Sequence, residues 1–310
     1  MNTLPRHEVT VVGQIARDLV LVVDAVPAAL TSARVDERRE TLGGKGANQA
    51  VSLAQLGASV TLLGVLADDP DATRLITRAR ADGIDTSAIT RREGGRSALI
   101  VEIVDRHAHW RYLEDIPDAM LLTGDDIRAG AAALTSARAV VVQLQQPPVA
   151  ALTAARIAST GPGDTLVVLD GAAQGEHAED LLATADVLRA DDHEAELLTG
   201  GPLDHPDDVV RAARALLDRH PRLRLVAFGA GRHGNVFAWP DGNLVLPLED
   251  VPVADTTGGG DAFVAALTLA LIRGAEPEDA AGAAVAASAH TVRHAGGRPA
   301  LDPGVVNAPA

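Results

Sequence analysis

The chain has 310 residues, with 42 acidic against 27 basic side chains and a formal net charge of −15, a balance that disfavours nucleic acid and anionic membrane surfaces as partners. It contains no cysteine, which excludes a disulfide framework, a thiolate nucleophile and a thiolate metal site. Aromatic residues make up only 2% of the chain, too few for platforms that stack single-stranded bases, and no long linker divides it, so one α/β domain is expected over residues 1–310.

Met1–Thr10 carries no apolar run behind a basic segment, so no secretory signal is expected. Val9–Val12 reads as a buried strand, and Leu19–Asp24 and Arg34–Leu42 as short strands with charged flanks. Helical spacing over Ala47–Leu56 and Ala72–Ala81 brackets a strand at Val60–Leu66. After a turn at Gly94-Gly95, Ser97–Asp105 and His109–Leu113 again read as strands with polar flanks. The remainder alternates: helix at Asp125–Leu134, strand at Ala139–Leu144, helix at Val149–Ala158, strands at Thr165–Leu169 and Ala185–Leu188, helix at Val209–Leu217 and strand at Leu223–Phe228. Nearly continuous apolar strands alternating with helices predict a mostly parallel central sheet with helices on both faces, whose ligands sit beyond the carboxyl ends of the strands. The charged strands around 19–42 and 97–113 form either a small β-sheet lid or ordinary edge hairpins. The most apolar stretch, Ala262–Ile272, is too short to span a bilayer, and the tail Gly304–Ala310 is expected to be loosely held. A cytoplasmic protein is expected.

Two glycine-rich segments carry the chemistry. In Asp255-Thr256-Thr257-Gly258-Gly259-Gly260-Asp261, consecutive glycines leave backbone amides open where an apolar helix begins, so the turn can wrap an anion with a carboxylate beside it. That arrangement orients a hydroxyl for attack on a phosphoryl group, although a helix cap and a tight turn account for the same residues. Gly43-Gly44-Lys45-Gly46-Ala47-Asn48 offers donors to hydroxyls or an anion, or is simply a helix entry; with Arg39 and Gly46 at two of its key positions it is not a Walker A loop. Gly229-Ala230-Gly231-Arg232-His233-Gly234 spells a dinucleotide fingerprint, but Asn235–Trp239 continues as strand rather than helix, which leaves only a nucleotide-contacting loop. Asp191, Asp192, Glu194 and Glu196 either enrich a helix start in acids or supply oxygen donors to Mg²⁺ through water. His107 and His109 lack a third ligand at metal spacing and read as surface residues.

On these residues the chain resembles the PfkB family of carbohydrate kinases from about Val11 to Pro299, and within it the ribokinase-like members most closely. The resemblance implies a ribokinase-like fold and an ATP- and Mg²⁺-dependent kinase, with K⁺ as a further cofactor, that phosphorylates a primary hydroxyl of ribose or a related carbohydrate. A nucleoside kinase of the same fold and a catalytically inactive sugar-binding regulator are the alternatives. It further implies that Asp261 is the catalytic base, that Gly258, Gly259 and Gly260 form the anion hole, and that Asp18, Gly44, Lys45, Asn48 and Gln145 meet the sugar. Asp191, Gly229, Gly231 and Gly234 would meet the nucleotide, Glu194 would hold Mg²⁺ through water, and Asp255 and Thr257 would help hold K⁺. Lid strands in this family often mediate dimerisation, so a homodimer is expected. The departures are Ala16 in place of a sugar-binding Asn, Gln145 in place of Glu, Asp191 in place of Asn, Gly229 in place of a common Thr, and Ile116-Pro117-Asp118 in place of a glycine-rich lid segment. Such changes redirect specificity, because a buried hydrogen-bonding group left unpaired is costly.

Overall fold

The structure, a computed structural model, describes residues 8–107, 109–161 and 163–305. Most of the expected tail and the first seven residues of the N-terminal stretch lie outside these.

The chain opens with β1 (Val9–Val12), then crosses into β2 (Ala16–Val23) and β3 (Val35–Gly43) before α1 (Lys45–Gln55) returns it to β4 (Val60–Ala67). Asp69 caps α2 (Pro70–Ala81) by accepting from the Ala72 amide at 2.7 Å, with proline at the first helical position. β5 (Ile89–Arg92), β6 (Ala98–Asp105) and β7 (Trp110–Asp115) follow. The helix expected over 125–134 is two short ones, α3 (Gly124–Ala129) and α4 (Ala131–Ser136). Gly130 between them lies so close to Leu63 that a Cβ there would stand 2.4 Å from its side chain, so the chain bends to pass the sheet. β8 (Ala139–Gln143), α5 (Pro148–Ser159), β9 (Leu166–Asp170), α6 (Ala178–Leu182), β10 (Val187–Ala190), α7 (Asp192–Thr199), α8 (Pro206–Arg219) and β11 (Leu225–Gly229) alternate as the apolar runs require. The antiparallel pair β12 (Asn235–Trp239) and β13 (Gly242–Leu246) precedes the closing helices α9 (Gly259–Ile272) and α10 (Pro277–Thr291).

The large sheet has the order β13-β12-β11-β10-β9-β8-β1-β4-β5. Every neighbouring pair from β11 to β5 is parallel, and β12 and β13 complete one edge antiparallel. Successive strand residues face opposite sides: Val9 and Val11 pack into the layer with α1, α2, α9 and α10, whereas Val12 packs into the layer with α3 to α8. The second sheet, β3-β2-β6-β7, stands apart from the first, with β2 and β6 parallel and the outer strands antiparallel. The four charged segments therefore form one small sheet rather than separate edge hairpins. Among the described residues no helix is long and apolar enough to cross a membrane.

Candidate active site

The carboxyl ends of β1, β8 and β10 and the starts of α1 and α9 surround a cavity of about 610 Å³, roofed by β6 and β7. Strand order reverses about β1, so the cavity occupies the position at which doubly wound sheets collect ligands.

Gly258 begins α9 in the left-handed region, at φ 75°, with the Gly297 carbonyl oxygen 2.1 Å from where a Cβ would stand. The turn can close only without a side chain there. Gly258 and Gly260 line the cavity, whereas Gly259 faces Val292 and Ser288 of the protein interior. First-turn amides of a helix have no intrahelical acceptor, so this end of α9 presents donors and the positive end of its dipole.

Asp261 occupies that first turn, is 5% exposed and lines the cavity. Asn48 Nδ2 donates to one of its oxygens at 3.3 Å and Gln49 Nε2 to the other at 3.2 Å. The same Gln49 amide donates to Asp170 at 2.7 Å, and Asp170 accepts from Arg189 at 2.9 Å. Burial pushes the Asp261 carboxyl up to about 6; Asp170 adds to the rise, while Lys45, Asn48 and Arg189 oppose it. The helix start alone does not set its titration, because desolvation outweighs the favourable dipole. Burial presses the Lys45 ammonium down, but the Asp261 and Asp170 carboxylates more than offset this and hold its pKa above the ordinary value.

Asp18, on β2, folds over Gly43, which has no side chain to obstruct it: a Cβ there would lie 1.8 Å from the carboxylate. Burial and the charge of Glu102 push Asp18 up to about 8, against a hydrogen bond from the Gly44 backbone. Oδ1 of Asp18 and Oδ1 of Asn48 are buried without a hydrogen-bond partner among the described residues. Gly44, Lys45 and Gln145 line the same cavity.

The lid reaches down to the Asp255–Thr257 turn. Thr257 Oγ1 donates to Glu102 at 2.7 Å, so the hydrogen bond between Tyr112 and Thr257 has the phenol as donor. Trp110 Nε1 donates to Thr256 at 2.9 Å, and the two lid rings lie 4.7 Å apart. Burial and the neighbouring Asp255 push Glu102 up to about 7 against the Thr257 hydrogen bond. Burial and the Glu102 charge raise Tyr112.

The remaining expected residues are distributed differently. Asp191 and Glu194 cap α7 reciprocally, Asp191 accepting from the Glu194 amide at 2.7 Å and Glu194 from the Asp191 amide at 2.9 Å. Asp191 and Asp192 also line the cavity. Gly229, Gly231 and Gly234 are not part of its wall: a Cβ on Gly229 would meet the Asp192 amide at 2.7 Å, and one on Gly234 the Leu246 carbonyl oxygen at 2.0 Å. His107 and His109 face each other at 5.9 Å on the lid hairpin. Arg189, Asp170, Gln49 and Glu102 were not assigned roles from the sequence. Their one legible signal is polarity: at the end of a buried strand for Asp170 and Arg189, early in α1 for Gln49, and within lid strand β6 for Glu102.

Among the described residues no three His, Asp or Glu side chains converge as a metal site. The acids at the start of α7 could meet a Mg²⁺ only through water or alongside ligands that the protein does not supply. Asp255 accepts from the Thr257 amide at 2.9 Å and the Gly296 amide at 2.7 Å.

Residues 6–303 match the family model "pfkB family carbohydrate kinase". A bifunctional ribokinase/ribose-5-phosphate isomerase A of Fructilactobacillus sanfranciscensis is 30% identical over 265 residues, covering 84% of this chain; the match spans 48% of that relative, about half its length. An ATP-dependent ribose-1-phosphate kinase of Halopiger xanaduensis is 29% identical over 302 residues, 93% of each chain. The crystal structure of ribokinase from Thermotoga maritima superposes with a TM-score of 0.79 at 25% identity, covering 97% of this chain and 98% of the other.

Proposed function

The chain belongs to the pfkB family of carbohydrate kinases, and from that premise we propose that it transfers the γ-phosphoryl group of ATP to a primary hydroxyl of a free pentose or a closely related sugar. The observation that carries this reading is a single cavity in which a buried carboxylate at a glycine-rich helix start, Asp261, stands with two buried oxygens lacking donors, those of Asp18 and Asn48. Sugar hydroxyls would supply the missing donors.

In this reading Asp18 and Asn48 hold the sugar, Asp261 aligns the attacking hydroxyl, and the turn at Gly258–Gly260 cradles the phosphoryl. A bond forms between the sugar oxygen and the γ-phosphorus as the bond to the bridging β–γ oxygen breaks; the hydroxyl proton passes to Asp261 and ADP leaves. A loose transition state requires little proton removal early, so a carboxylate of modest basicity suffices. Mg²⁺ and K⁺, when bound, would supply positive charge to the nucleotide phosphates and to the turn.

The charges favour a free sugar over a phosphosugar. Lys45 and Arg189, the basic residues lining the cavity, stand by Asp261 and Gly260, whereas the lid end carries Glu102 and Glu114 beside Asp18. A phosphate at the far end of the acceptor would meet acidic side chains and none of the cavity's basic ones. A nucleoside is the second reading, favoured by the Trp110–Tyr112 ring pair on the cavity wall. The outer surface of the lid, with Leu113 63% exposed, supports a homodimer through this sheet.

ADP release measured with ATP, Mg²⁺ and K⁺ across pentoses, deoxypentoses, hexoses, sugar phosphates and nucleosides tests the reading. Turnover of a free pentose and none of its 1-phosphate is expected; turnover of a nucleoside alone moves the assignment to the second reading, and silence across the panel contradicts both.

A further inference from the structure

β10 is a short buried strand of the central sheet, and Arg189 is the charged residue within it. Its side chain is 12% exposed, and it opens onto the cavity between Asp191 and Gly260. Desolvating a guanidinium is expensive unless it is matched, and here the match uses one nitrogen: Nη1 lies 2.9 Å from Asp170 and 4.0 Å from Glu194. The guanidinium lies close beneath the α9 turn: a Cβ on Gly260 would stand 2.7 Å from Nη2, 3.0 Å from Nη1 and 3.1 Å from Cζ. The Phe263 ring supports the guanidinium at 5.7 Å. Through Asp170 and Gln49 the arginine is fastened to the frame that holds Asp261, at 2.9, 2.7 and 3.2 Å in succession.

We propose that Arg189 is a catalytic cation of this site, its free edge binding the transferred phosphoryl group opposite Asp261 while Asp170 holds its other edge. The proposal rests on the phosphoryl-transfer reading of the cavity. Charge in such a transition state spreads over the equatorial phosphoryl oxygens, and a planar guanidinium presents paired donors to two oxygens at once. Lys45 supplies a point charge from the α1 side; Arg189 supplies a directional one from the sheet. The absence of a side chain at Gly260 serves both, admitting the phosphoryl above and the guanidinium below. A purely structural ion pair with Asp170 would need no opening to the cavity.

The test compares the wild type with Arg189→Lys, Arg189→Ala and the double variant Arg189→Ala/Asp170→Asn, which leaves no unpaired buried carboxylate. Thermal unfolding and calorimetric binding of the acceptor report folding and the sugar end of the site. The proposal expects kcat to fall by about 10²–10³-fold in the alanine variants, with acceptor KM and acceptor binding within about threefold of wild type, since the sugar does not touch Arg189. Arg189→Lys is expected to recover part of the loss, and added methylguanidinium to restore the double variant at least in part. ADP with magnesium fluoride, a mimic of the phosphoryl in flight, is expected to bind more weakly by a factor comparable to the loss in kcat. Retention of kcat in the double variant overturns the proposal, as does a loss that follows the melting temperature and ignores methylguanidinium. A wild type that releases no ADP with any sugar overturns the functional reading first, an outcome distinct from an active wild type with an indifferent Arg189.

Discussion

Asp261 sits where two effects compete. The start of α9 favours its ionised form, yet burial is the larger influence and lifts the carboxyl to about 6. The proton-accepting form is thus present above that value and lost below it, so kcat/KM for the acceptor is expected to fall on the acid side with an apparent pKa near this value. Lys45 opposes the rise, so Lys45→Met is expected to move the acid limb to higher pH as well as to lower turnover; an unmoved limb in a pH–rate profile removes Asp261 as its source. Asp18 gives a stability prediction of definite sign. Its carboxyl rises from an ordinary 3.8 to about 8, so the folded protein holds a proton that the unfolded chain releases. That contribution is complete below the lower value and lost as pH rises through the upper one. Asp18→Asn is therefore expected to melt higher than wild type at pH 9, by on the order of 2 °C, with sugar affinity reduced at least tenfold. Equal melting profiles across pH contradict the assignment. Asp261, Lys45 and Asn48 were legible in the sequence because glycines mark the turns that carry them. Arg189 and Asp170 were not, since a charge at the end of an apolar strand has meaning only when the neighbouring strand, 19 residues away, is placed beside it.

The turn from Asp255 to Gly260 joins three elements: α9 begins in it, the lid strands β6 and β7 hydrogen-bond to it, and Asp255 ties it to the loop at Gly296. Gly258 is the tightest point. Gly258→Ala places a methyl group against the Gly297 carbonyl and forces a side chain into the left-handed region, a cost of about 2 kcal/mol or more. The expected outcome is a lower melting temperature together with loss of ADP release; an alanine variant with both properties intact would show that the turn is not rigid. At this scale the sequence was informative where periodicity was clean. β1 and the lid strands stand within a few residues of their expected places. The break at Gly130 depends on Leu63, far away in the chain, and β5, Ile-Thr-Arg-Arg, lacks the apolar run that marks its neighbours. α10 is built largely of alanine buried on several sides, so no polar face outlines it.

The molecule as a whole separates two tasks between two sheets. The large one delivers Arg189, held by Asp170 of the neighbouring strand, and the small one brings Asp18, Glu102 and Tyr112 over the same cavity. If the small sheet also joins two copies, Leu113→Glu is expected to convert a dimer to a monomer in sedimentation measurements; a wild type that sediments as a monomer contradicts that reading. The account as a whole depends on one claim, that this cavity performs phosphoryl transfer with Asp261 as the group that receives the hydroxyl proton. Its most direct test sets wild type beside Asp261→Asn and measures sugar binding by calorimetry and ADP release on the same preparations. The account predicts that binding survives while ADP release falls by about 10³-fold or more. ADP release within tenfold of wild type in the variant, or sugar binding by a wild type that releases no ADP at all, would contradict it.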